Sequence, residues 1–151
     1  MEDILPLLAI DRVSRCHAAL VWSLVQHRAP EIVESFYADF LQAGFDPRLS
    51  AKAIDHLKEK QKEHWETLFK SRFDNAYFNR ASLIGIKHRE IGLDVRWYVA
   101  GYMKIGSNFS MEIINASLPL PVKARLIATL HKYIALDMAL AVSSYTSVLV
   151  D

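Results

Sequence analysis

The chain has 151 residues, and 52% of them are hydrophobic, which predicts one folded domain over residues 1–151 and excludes a disordered chain. Its 18 Lys and Arg residues nearly balance 17 Asp and Glu residues, whereas nucleic-acid-binding proteins usually carry a basic excess. The only cysteine, Cys16, excludes a disulfide framework and a cysteine-rich zinc site.

The longest segment without Asp, Glu, Lys or Arg is 138–150, whose 13 residues are fewer than the roughly 20 of a membrane-spanning helix. With the acidic start Met1-Glu2-Asp3, these features predict a cytoplasmic protein without a membrane span.

Only five Gly and five Pro residues interrupt the chain, and the segments between them have the apolar periodicity of helices. Asp11 and Asp74 are suited to cap helix starts, Pro30 to a first helical turn, and Gly92 to a helix end. No Asn-Gly or Asp-Gly hairpin signal is present, so we predict an all-α fold. The six predicted helices cover about 11–27, 30–43, 50–69, 74–92, 94–116 and 122–150.

The last predicted helix is apolar on nearly every side from Tyr133 onward, and such a helix needs burial on every side. One interpretation is a central core helix. The other is that one of its faces meets a second subunit. The apolar pattern runs to Leu149-Val150 without a capping residue, which predicts a helix that continues beyond this chain.

The sequence lacks the residue spacings of most catalytic sites. None of its six histidines has the His-x-x-x-His spacing of a helical zinc site, and there is no phosphate-binding glycine loop or Gly-x-Ser-x-Gly motif. His88 differs from the others because it shares an apolar helix face with Tyr77, Ile84 and Ile91, one turn after Gly85. The ordinary interpretation of such a histidine is a hydrogen-bonded core residue. In a small all-α domain, one histidine among apolar side chains is also what a globin needs to hold haem.

Two further positions are candidates for a site. Tyr37 lies beside the apolar stripe of the second helix, so we expect a half-buried phenol that needs a hydrogen-bond partner. Gln61 and His64 share the inner face of the third helix with Leu57, where they either line a site or border the core.

Three segments resemble the globin domains of globin-coupled sensors, which are bacterial haem-based gas sensors. The most specific one is Ile84-Gly85-Ile86-Lys87-His88-Arg89-Glu90-Ile91-Gly92-Leu93, with Trp97-Tyr98 opening the next helix. It is similar to the family's proximal haem signature. The segments Leu57-Lys58 to Leu68-Phe69 and Ser35-Phe36-Tyr37 resemble its distal helix and its distal tyrosine segment.

The resemblance implies haem b as cofactor and assigns roles to four residues. His88 would be the iron ligand, Tyr37 the distal donor to bound oxygen, Leu57 a distal residue that shapes access to the iron, and Tyr98 a proximal aromatic. Some family members have a hydroxyl residue three positions after the distal leucine. Here that position is Lys60, whose long side chain either extends outward and leaves the donor role to Tyr37 or alters the distal pocket.

The resemblance also implies a globin-like helical bundle with a reduced or absent short helix between the second and third main helices. It implies a homodimer through the last two helices, which relays ligation to an output domain that this chain does not contain. The ligand would be O2, with CO or NO as further gases, and the chain would be a sensor and not an enzyme. Two alternatives are a haem-free regulatory globin domain and an O2- or NO-consuming globin.

Overall fold

The computed structural model describes residues 3–45 and 49–146, and every regular element in these ranges is a helix. The predicted all-α fold is therefore confirmed. The helices of the described ranges are α1 (Ile4–Leu7), α2 (Arg12–Val25), α3 (Ala29–Gln42), α4 (Ala51–Lys70), α5 (Asn75–Glu90), α6 (Val95–Asn115) and α7 (Leu120–Thr146).

Short polar side chains cap four of the helices. Asp11 accepts a hydrogen bond from the backbone N–H of Ser14 at 2.9 Å, and Ser50, Asp74 and Asp94 cap α4, α5 and α6 in the same way. These caps explain why the predicted starts agree with the observed ones to within one or two residues. The single turn α1 was not predicted, because four residues are too few to show a helical period.

Proline positions explain the starts of α3 and α7. Pro30 is the second residue of α3, and Pro121 is the second residue of α7. A first-turn proline gives up a backbone N–H that has no intrahelical partner anyway, so α7 begins at Leu120, before the predicted 122. In the connection from α3 to α4, the described residues 43–45 and 49–50 form no helix, as the resemblance implies.

Helix α7 runs through the middle of the fold and packs against α2, α5 and α6. Leu130, Tyr133, Leu136 and Leu140 are completely buried, which supports the core-helix interpretation for the side of the helix that bears them. By length and hydropathy, α7 is the one helix of the described residues that could cross a membrane. Half of its most apolar stretch is buried inside the fold, as in the core helix of a soluble protein, so this is weak support for a span.

Candidate functional site

A large cavity of about 740 Å³ lies between α3, α4, α5 and α6, and α7 closes its inner end. Its size is within the range of small-molecule and cofactor pockets. Helical periodicity turns all four residues singled out by the resemblance toward this cavity: His88, Tyr37, Leu57 and Tyr98 all line it. Other lining residues include Phe36, Phe40, Phe45, Ile54, Gln61, His64, Ile84, Leu93, Trp97, Tyr102, Ile105 and Asp137.

His88 is held in the cavity wall by a hydrogen bond within its own helix. Its Nδ1 lies 2.7 Å from the carbonyl oxygen of Ile84, and its ring centroid lies 5.2 Å from that of Tyr98. A carbonyl can only accept, so Nδ1 carries the hydrogen and Nε2 keeps its lone pair. Burial lowers the pKa of His88 against the opposing hydrogen bond to Ile84, which favours the neutral ring. A neutral, oriented imidazole of this kind is suited to bind a metal.

Aromatic rings of α3 form the wall on the Tyr37 side of the cavity. Phe36 packs edge-on against Tyr37 with centroids 5.5 Å apart, and Phe40 packs edge-on against Trp97 at 5.1 Å. Tyr37 is half-buried, as predicted, and burial raises the pKa of its phenol. The group therefore stays protonated at neutral pH and keeps its hydrogen to donate.

The α4 wall combines apolar and polar residues. Leu57 and Gln61 line the cavity and are half-buried. Lys60 borders the cavity but is 59% exposed, and its Nζ pairs with Glu63 at 3.3 Å. The ammonium group is thus directed to solvent, which favours outward extension over an altered distal pocket.

A buried polar network closes the inner end of the cavity. The carboxylate of Asp137 in α7 accepts hydrogen bonds from His64 Nε2 at 2.8 Å, from the Tyr77 hydroxyl at 2.7 Å and from the Tyr102 hydroxyl at 2.6 Å. Burial by itself raises the pKa of Asp137. The charge of His64 and the hydrogen bonds outweigh this effect, so the pKa lies below its ordinary value and the group is ionised at neutral pH.

Sequence reasoning placed His64 on the inner face but missed Asp137, Tyr77 and Tyr102 as its partners. One signal was present: Asp137 is the only acidic residue between Leu120 and Val150, in a helix that is otherwise apolar on nearly all sides. Acidic residues are rarely fully buried unless they are paired, so such a position predicts donors on the neighbouring helices.

Basic side chains stand at the outer edge of the cavity. Arg80 and Lys87 of α5, and His56 and Lys60 of α4, all border it, and all four are exposed. No group of three or more His, Cys, Asp or Glu residues within 3–45 and 49–146 is arranged to hold a metal ion.

On the opposite side of α7, a shallow apolar groove runs between α6 and α7. Val99 and Met103 of α6 contribute exposed side chains to it. The groove is lined by Val99, Met103, His131, Ile134, Ala135, Met138, Ala139 and Val142. Helix α7 therefore separates the cavity from an apolar surface.

A helical bundle with one oriented histidine in a large apolar cavity is the arrangement of a globin. The fold matches the globin domain of the Geobacter sulfurreducens globin-coupled sensor with a TM-score of 0.83, over 96% of this chain and 97% of that chain, at 16% sequence identity. The Protoglobin family model matches residues 4–150. The chain belongs to the protoglobin family, and the predicted globin-like fold is confirmed.

Proposed function

We propose that this domain binds haem b through His88 and senses a diatomic gas, with O2 as the leading candidate. The observation that carries the proposal is the hydrogen bond from His88 Nδ1 to Ile84, which leaves the Nε2 atom of this cavity-lining histidine free to bind a metal. The predominantly apolar lining and the volume of about 740 Å³ suit a flat, largely apolar cofactor.

The basic side chains at the edge of the cavity suit the two carboxylates of haem. Arg80 and Lys87 stand on the helix that bears His88, and His56 and Lys60 stand across the opening on α4. Exposed cations pair with carboxylates at low cost, because neither group has to leave water completely. The carboxylates would therefore lie at the opening, and the apolar ring system would lie inside.

Haem, when bound, supplies an iron atom at which a diatomic gas can bind. Tyr37 would then act as the distal donor, because its phenol is protonated and lines the cavity. Leu57 would limit access from the α4 side without offering a polar group. Tyr98, whose ring packs against that of His88, would fix the orientation of the imidazole.

We further propose that the groove between α6 and α7 is the homodimer interface through which a signal passes to an output domain. Exposed Val99 and Met103 make this groove apolar, and a two-fold contact would bury it. A stable interface of this type buries at least ~1,200 Å² in total. Helix α7 lines both the cavity and the groove, so it is the element suited to connect them.

An absorbance spectrum after haem addition tests the proposal. Wild type and a His27→Ala control are expected to show a strong Soret band and bind haem equally, since His27 is exposed and lies outside the cavity. His88→Ala should remain helical by circular dichroism but lose normal haem retention. An unchanged ferrous spectrum in His88→Ala would remove the iron ligand from the proposal. No Soret band in wild type would favour a haem-free regulatory domain, and gas consumption with a reductant would favour an enzyme.

A further inference from the structure

Among the residues that the structure describes, Asp137 is the only acidic side chain that is fully buried, with 3% exposure. It lies in the cavity wall together with two of its hydrogen-bond donors, His64 and Tyr102. The distal and proximal roles proposed for Tyr37 and His88 do not involve this carboxylate. A buried charge that no other role explains therefore stands in the wall of the candidate cofactor site.

We propose that the buried negative charge of Asp137 sets the redox preference of the bound iron by favouring the ferric over the ferrous state. This inference rests on the proposed function, because it requires haem in the cavity. Ferric haem carries one more positive charge than ferrous haem. A fixed negative charge in the wall thus stabilises the ferric form selectively.

The burial of the Asp137 carboxylate strengthens its electrostatic effect on the iron. Asp137 is enclosed by protein at the inner end of an apolar cavity, where the effective dielectric constant is far below that of water. Glu63 provides a contrast: it borders the same cavity, but its side chain is 63% exposed, so solvent and salt screen its charge. The two carboxylates therefore form a natural test and control.

Donors from three helices keep Asp137 ionised. His64 of α4, Tyr77 of α5 and Tyr102 of α6 converge on its two oxygens at 2.6 to 2.9 Å. A buried carboxyl without such donors would take up a proton and lose its charge. The network thus holds the charge at one position relative to the cavity.

His64 is the basic member of this network. Its Nε2 faces the carboxylate, and its Nδ1 is buried without a hydrogen-bond partner among the described residues. A positive charge on His64 would offset the negative charge of Asp137, so the effect of Asp137 is also measured in a protein that lacks this imidazole. Gln is the suitable replacement at this position, since its amide can donate the same hydrogen bond but cannot be protonated at neutral pH.

The experiment compares haem-loaded proteins equilibrated with a redox dye of known potential, and the ferrous-to-ferric ratio is read from the absorbance spectrum. Asp137→Asn is compared with wild type, and His64→Gln/Asp137→Asn with His64→Gln. Loss of the Asp137 charge should shift the ratio toward ferrous by at least about five-fold at one solution potential. Glu63→Gln should change the ratio less than two-fold, about the size expected of a screened charge.

The double variant keeps the inference testable if Asp137→Asn alone does not fold. Its two introduced amide side chains are both neutral and can hydrogen-bond to each other, so no unpaired charge is left in the core. The inference would be overturned if His64→Gln and His64→Gln/Asp137→Asn had equal ferrous-to-ferric ratios, or if the double variant shifted toward ferric. Neither result would affect the proposal that the protein binds haem. A purely structural Asp137 would alter stability and leave the ratio unchanged. A wild-type protein that binds no haem would overturn this inference together with the proposed function.

Discussion

Gly85 of α5 lies directly against the backbone of Ala141 in α7. A β-carbon at Gly85 would overlap the carbonyl oxygen of Ala141 and come within 2.9 Å of its carbonyl carbon and Cα. The two helices are thus in backbone contact three residues before His88. The helix that bears the candidate iron ligand rests on the helix that separates the cavity from the outer groove.

Gly85→Ala should destabilise the protein although alanine favours a helix. Replacing a mid-helix glycine by alanine normally stabilises by up to about 1 kcal/mol, but forcing an extra methyl into a packed core costs about 1–3 kcal/mol. Backbone atoms of Ala141 can yield only if α5 and α7 move apart, so the cost should dominate. Urea unfolding measures the difference.

Gly106→Ala is the control, because there the new methyl meets only the flexible end of Ile134 at 2.8 Å. Its loss of unfolding free energy should be clearly smaller than that of Gly85→Ala. Equal stabilities of wild type and Gly85→Ala would disprove the backbone contact.

Tyr37→Phe should weaken O2 binding by roughly three- to a hundred-fold, since a lost hydrogen bond of about 0.5–3 kcal/mol corresponds to that range. The loss should appear mainly as faster O2 dissociation in stopped-flow experiments, because the hydrogen bond forms after the ligand has arrived. CO is the internal control: it gains little negative charge on binding, so its affinity should change far less. Identical O2 dissociation rates in the two proteins would turn attention to Gln61 as the donor.

Met103→Glu should convert a dimer into a monomer at micromolar concentration. The substitution places a carboxylate in the apolar groove between α6 and α7, where a two-fold contact would bring two such charges together. Sedimentation velocity measures the oligomeric state. The matched control is Leu20→Glu, which alters an exposed leucine of α2 outside this groove. A wild type that is strictly monomeric, or a Met103→Glu variant that remains dimeric, would contradict the proposed interface.

Asp137→Asn should lower the free energy of unfolding at pH 7 by about 3 kcal/mol, because removing one partner of a buried ionic network typically costs about 3–5 kcal/mol. The pKa of Asp137 is lower in the folded protein than its ordinary value, so the stabilisation is complete above the unfolded pKa of about 3.9. It is lost as the pH falls from there toward the folded pKa. The difference between wild type and Asp137→Asn should therefore be largest at neutral pH and shrink below about pH 4. Urea unfolding across this range checks it, and exposed Glu63→Gln should stay within about 0.5 kcal/mol of wild type throughout.

Features that depend on nearby residues were predictable. The caps at Asp11 and Asp74 act within three residues of themselves, so the starts of α2 and α5 follow from the sequence. The resemblance assigned haem-site roles to Tyr37 and His88. Both residues line the same cavity, because each lies on the inner face of its helix.

Features that depend on distant partners were not predictable. Asp137 meets His64 and Tyr77 across 73 and 60 residues of chain, and no local pattern distinguishes Tyr77 from the other core aromatics. The direction in which Lys60 extends likewise depends on its pairing with Glu63 and on the solvent at the cavity edge. Such contacts exist only after the helices have packed.

The Asp137 network also fixes the position of α7 along its own axis and its rotation about that axis. A helix that is apolar on nearly every side has little to oppose sliding or rotation, and a slip of one residue moves each side chain by about 1.5 Å and turns it by about 100°. Such a slip would carry Asp137 away from donors on three helices and leave a bare charge in the core. Together with the Gly85–Ala141 contact, the carboxylate thus selects one register of α7 among several that would bury a similar apolar area. This register also places the side chains of Met138 and Val142 in the groove between α6 and α7.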